Sequence, residues 1–168
     1  MGPRRLFGVV VRPLNFTVRG LVTQRYEYSI HLRVRHPTID ASVISRGLRM
    51  RPRVSWRVGD PCVTPTGTPL RGVRTDTYWN KTITPGGATV PSSKIAAYTI
   101  SRLLLRLRRH AQFLRRLQRS GGTIEIWLSS FRTTNYSFTL THELIESIHR
   151  LGCVLIVDVY PYRQNWGL

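Results

Sequence analysis

YEYSIHLRVR, residues 26–35, alternates without a break. Tyr26, Tyr28, Ile30, Leu32 and Val34 fall on one side of an extended chain, and Glu27, Ser29, His31, Arg33 and Arg35 on the other. A period of two with one polar face predicts a strand in a sheet that is covered on one side and open on the other.

Downstream, the longest periodic segment is 92–119. Ile100, Leu103, Leu104, Leu107, Ala111, Leu114 and Leu117 recur at helical spacing, Ser92 or Ser93 can cap the start, and Gly121-Gly122 ends it. This predicts one long helix. Arg102, Arg106, Arg109 and Arg116 line one flank, and Arg108, Arg115 and Arg119 the other.

A short helix is predicted over 39–48, capped by Thr38 or Asp40 and stopped before Pro52. Strands are predicted at 53–58, 75–83 and 123–128. Residues 61–74 and 84–91 are rich in Pro, Gly and Thr and read as loops. Thr141 can cap a helix over 142–151, whose stripe is Leu144, Ile145, Ile148 and Leu151. The last strand, 153–157, is apolar on both faces, which predicts a central place in the sheet.

Strands and helices in this order predict an α+β fold: one mainly antiparallel or mixed sheet with two or three helices packed on one face. Residues 23–168 read as a single domain. Residues 1–22 read as a basic N-terminal extension or an edge strand, and 16–22 is a candidate hairpin partner for the first strand. The apolar run from Leu6 to Val11 is too short for a signal peptide and is ended by Arg12 and Pro13. No stretch approaches the ~20 apolar residues of a membrane span. Cys62 and Cys153 are too few for a disulfide scaffold and suggest a reducing, cytoplasmic setting.

The formal net charge is +18, from 26 Lys+Arg against 8 Asp+Glu. Such a chain attracts polyanions: nucleic acid backbone, an anionic membrane surface or an acidic protein. Lysine occurs only at 81 and 94, so 26 − 2 = 24 of the cations are arginine. A GC-rich genome writes the same ratio through its codons. The count alone therefore does not specify a partner.

Several pieces in fixed order resemble a bacterial family, domain of unknown function 4279. They are the tyrosine-rich first strand, the short helix before Pro52, and Trp56-Arg57-Val58-Gly59-Asp60. Trp79 before the long helix follows, then the step from Leu151-Gly152 into Asp158-Val159-Tyr160. The resemblance runs from about Tyr26 to Tyr160. It implies a small bacterial α+β protein without an established activity, and it carries no catalytic residues to transfer. The high arginine content and the extended N-terminus are departures of this chain.

Catalytic patterns are missing. His142, Glu143, Glu146 and His149 form a dense group, but the histidines are seven apart, about 10 Å of helical rise, where one zinc ion needs them four apart. That spacing reads as a solvated helix face. Asp60 and Asp158 each end a strand; Asp60 reads as a turn residue, Asp158 as a partner for an arginine. There is no G-x-S-x-G, no G-x-G-x-x-G and no Walker A loop. No cofactor and no enzymatic activity are expected.

What remains is a binding module. The expected acidic-partner surface is Arg102, Arg106, Arg109, Arg115 and Arg116, aided by Arg46, Arg49, Arg51 and Arg53, with nucleic acid backbone slightly preferred over acidic protein. An open sheet face carrying Tyr78, Trp79 and Trp127 would instead suit a protein partner, as in an accessory or immunity-type protein of a bacterial gene cluster.

Overall fold

The structure, a computed structural model, describes residues 27–64, 66–84, 93–132 and 138–161. The extension 1–22, its hairpin at 16–22 and the loop at 85–91 lie outside them. Five strands form a mixed sheet in the order β2-β5-β1-β6-β7: β2 Val54–Trp56, β5 Thr77–Thr82, β1 Glu27–His36, β6 Thr123–Arg132 and β7 Val154–Pro161. All neighbours are antiparallel except β6 and β7. That parallel pair needs a crossover, which α4 (His142–Arg150) supplies.

β1 is central because its apolar side is wholly buried. Tyr28, Ile30, Leu32 and Val34 have no exposed surface, and their partners Leu128, Ile126 and Ile124 extend the same face. Helices α1 (Ala41–Leu48), α2 (Ser93–Arg108), α3 (Ala111–Arg119) and α4 close this side through Ile44, Leu48, Ile100, Leu107, Leu114, Leu117, Leu144 and Ile148. The fold is α+β, with four helices among the described residues instead of two or three.

The long helix 92–119 is in fact two. The chain tightens at Arg109 and His110, whose amides donate three residues back, to Arg106 and Leu107. α3 restarts when the Leu114 amide reaches the His110 carbonyl. No Gly or Pro marks the break. The apolar stripe keeps its phase across it, so both halves reach one core.

The last strand is not central. β7 is an edge strand, and Val154, Val157, Val159 and Tyr160 stand about half exposed. Its outer edge pairs with no strand among the described residues, and Tyr160 stacks on Phe131 of β6 at 5.3 Å. The Pro/Gly/Thr segment 61–74 is likewise more than a loop: β3 (Pro61–Val63) and β4 (Pro69–Val73) pair as a separate two-stranded ribbon. Most of its side chains are exposed, so no apolar alternation announces it.

A buried histidine ties three elements together. His36, at the end of β1, accepts the Thr38 and Ile39 amides at Nδ1, both at 3.0 Å, as the chain turns toward α1. The proton therefore sits on Nε2, which donates to Ser120 Oγ at the end of α3 (2.9 Å). Gly122 passes so close that a Cβ there would meet the His36 ring at 2.8 Å and the Leu117 carbonyl at 2.9 Å. Burial lowers the His36 pKa below its ordinary 6.5. Burial first, then Arg33 and Arg53, lowers that of His31 also. In both cases the unfolded chain takes up a proton before the folded one. Stability is therefore full above about pH 6.5 and declines as pH falls toward the folded-state values. Thermal melts from pH 7 to pH 5 should show this decline. In His36→Ala the melting temperature should be lower at pH 7 and the decline smaller, leaving only the His31 share. An unchanged decline would remove His36 from this role.

Candidate polyanion groove

α2 faces away from the core with a second stripe, Tyr98, Arg102, Leu105 and Arg106, three or four residues from one turn to the next, and Arg109 follows at its end. Opposite it stand the C-terminal end of α1, with Arg46 and Arg49, and the end of β5, with Lys81, Thr82 and Ile83. Between the two walls lies a groove of about 1090 Å³, with Met50 and Leu103 also lining it.

Six cations line the groove: Arg46, Arg49, Lys81, Arg102, Arg106 and Arg109. None of the chain's eight carboxylates does. The ion pairs among the described residues lie elsewhere: Arg35–Asp76, Arg57 with Asp40 and Asp60, and Arg150–Glu146. Clustered cations without counter-charges in a concave site focus positive potential there.

Part of the cluster has an internal use. α1 ends on Arg49 in the left-handed region, at φ 51°, with its last carbonyls directed toward this side. Arg106 Nη2 donates to the Arg49 carbonyl and Lys81 Nζ to the Arg51 carbonyl, each at 3.1 Å. Arg46 reaches Ser42 Oγ at 3.3 Å. Cations at a helix C-terminus are stabilising. Arg49, Arg102 and Arg109, however, make no side-chain hydrogen bond or ion pair among the described residues. Helix capping therefore accounts for part of the cluster and not for Arg49, Arg102 and Arg109.

Of the expected basic surface, Arg102, Arg106 and Arg109 come together, and Arg46 and Arg49 join them. Arg115 and Arg116 do not: both are exposed on α3, outside the groove lining. Lys81, Tyr98 and Leu105 were not legible as partners of these arginines. Tyr98 had a usable signal, lying four residues before Arg102. Lys81 had none, since only tertiary folding brings β5 beside α2.

The aromatic surface separates by strand alternation. Tyr78 and Trp127 lie on the open face, but Trp79 points the other way and is fully buried. Its Nε1 donates to Ser45 Oγ at 3.0 Å. Neighbours in a strand cannot share a face, so Trp79 belongs to the core. On the open side the arginines cover the rings. The Arg33 guanidinium sits 3.5 Å from the Trp127 centroid. Arg74, Trp56, Tyr78 and Arg35 form a column with successive separations of 4.2, 4.2 and 5.4 Å. These π faces are engaged within the molecule.

The remaining chemical candidates do not converge. Asp60 follows β2 at one sheet edge, accepting the Arg57 amide, while Asp158 lies in β7 at the other. Asp158 accepts from the Tyr160 hydroxyl at 3.3 Å, where an arginine was expected. Glu146 pairs with Arg150 at 2.6 Å, and no ion pair between it and a histidine occurs among the described residues. Burial pushes the Cys153 thiol up to about 12, which leaves it protonated and unreactive.

A family model, Domain of unknown function (DUF4279), matches residues 26–162. The chain belongs to this family. No curated protein and no solved structure matches it. In this DUF4279 domain the match spans the sheet, the four helices and the groove. Among the described residues no helix is long and apolar enough to cross a membrane.

Proposed function

We propose that this DUF4279 protein is a non-catalytic binding module whose groove between α1, α2 and β5 takes a polyanion, with nucleic acid backbone the preferred partner. One observation carries the reading: six cations on two facing walls with no carboxylate among the lining residues. Codon usage raises the number of arginines but does not sort acids away from one groove. Guanidinium suits phosphate because its fork donates two parallel hydrogen bonds. Labelled oligonucleotides should be retained on filters by the full chain at low salt and released as salt rises. Absence of retention at ~50 mM salt, where such contacts are strongest, would end the nucleic-acid reading.

A protein-interaction role, as an accessory or immunity-type protein, has one observation of its own. β7 is an eight-residue edge strand, and no Lys or Arg occurs from Leu151 to Tyr162. Edge strands of monomers are commonly blunted by charge or proline; β2 is flanked by Arg51, Pro52 and Arg53, whereas in β7 the four residues from Val154 to Val157 are all apolar before Asp158 and Pro161. A partner that adds a strand to β7 should be lost in Val159→Lys while oligonucleotide binding persists. Retention of that partner by the variant excludes β7 as its seat.

A further inference from the structure

We infer that the groove is built for a single strand of nucleic acid, phosphates on the two cationic walls and bases against Tyr98 and Leu105. This rests on the polyanion reading and narrows it.

The first reason is where the cations stand. Arg102, Arg106 and Arg109 line one groove together with Arg46, Arg49 and Lys81, and Arg106 reaches the Arg49 carbonyl at 3.1 Å, so a ligand that meets all six must lie along the groove. A duplex is a stiff rod, with a persistence length of ~150 base pairs, and does not bend locally to meet cations contributed by three elements. A single strand is thin and flexible enough to lie within. Along α2, Arg102 and Arg106 are four residues apart, a rise of ~6 Å, and Arg109 follows at the helix end.

The second reason is what else lines the groove. Tyr98 is 62% exposed and Leu105 is 53% exposed, on the same stripe as the arginines. Free phosphate or a purely acidic peptide has no use for them. A strand does, since each base offers a flat apolar face beside its phosphate. Interleaved aromatics and cations are how sequence-tolerant single-strand sites are made. The open sheet face lacks this property, because guanidiniums already cover its Trp56, Tyr78 and Trp127 rings.

Fluorescence anisotropy on the full chain can test this with three probes: a ~12-nucleotide oligothymidylate, a duplex of the same length and an oligoglutamate of equal charge. The single strand should bind at least about tenfold tighter than either. Tyr98→Ala should weaken it about tenfold, the low end of a base–aromatic stack, without changing the salt dependence. Equal binding of the duplex, or no effect of Tyr98→Ala, overturns the inference and leaves the polyanion reading in place. Preference for oligoglutamate overturns it in favour of an acidic protein. If no probe binds at low salt, both readings fall.

Discussion

Arg102→Glu/Arg106→Glu/Arg109→Glu should abolish oligonucleotide binding, with a loss above about 100-fold at 0.1 M salt, or more than ~2.7 kcal/mol. The triple change removes three cations from one wall and sets three carboxylates opposite Arg46, Arg49 and Lys81. Those opposed charges would close the groove on itself as well as repel phosphate. Arg102, Arg106 and Arg109 are exposed, so the fold should survive and the circular dichroism spectrum should be unchanged. Arg115→Glu/Arg116→Glu is the matched control, because both residues are exposed on α3 outside the groove. It also makes the chain less basic, but salt screens exposed charges that make no direct contact with the ligand. Its expected loss is under about fivefold. Equal losses in the two variants would mean that overall charge, and not the groove, binds the polyanion.

The second large effect is on stability. Trp79→Ala should cost about 3–5 kcal/mol, the range for emptying a buried aromatic site. Trp79 is fully buried between β5 and α1, and the change also removes the donor to Ser45. Against a typical domain stability of ~5–15 kcal/mol, this is enough to leave the variant marginal. Trp127→Ala removes an equally large side chain from the other face of the same sheet. There the ring is half-buried beneath Arg33, with Nε1 bonded to Glu125 at 2.6 Å. Its expected cost is ~1–2 kcal/mol, the sum of a cation–π contact and partial burial. Urea midpoints of the two variants measure the difference. Similar midpoints would contradict a sheet with one helix-covered face and one open face.

What the chain discloses before folding depends on whether a residue's role is local. β1 was legible because Tyr28, Ile30, Leu32 and Val34 are fully buried while His31, Arg33 and Arg35 keep exposed surface, so burial follows the period along most of the strand. α4 was legible from Thr141 and Gly152 for the same local reason. The edge position of β7 was hidden because Val154, Val157 and Val159 are apolar yet exposed, against the usual relation between the two. The β3–β4 ribbon was hidden because it packs on no core. The break at Arg109–His110 was hidden because Leu107, Ala111 and Leu114 keep helical phase through it. The groove divides similarly. Its α2 wall is a spacing of four and three along one helix, but the facing wall of Arg46, Arg49 and Lys81 exists only once α1 and β5 lie beside α2. The exclusion of acids, the feature that gives the arginines meaning, is a property of three elements together.

The most direct test is the slope of log binding constant against log salt for a single-stranded oligonucleotide, in the native chain and in Arg102→Gln/Arg106→Gln/Arg109→Gln. Six phosphate contacts at about 0.7 each predict a slope near −4 for the native chain, and three predict about −2 for the variant. A native slope shallower than about −1, or the same slope in both proteins, would contradict a six-cation groove as the binding site.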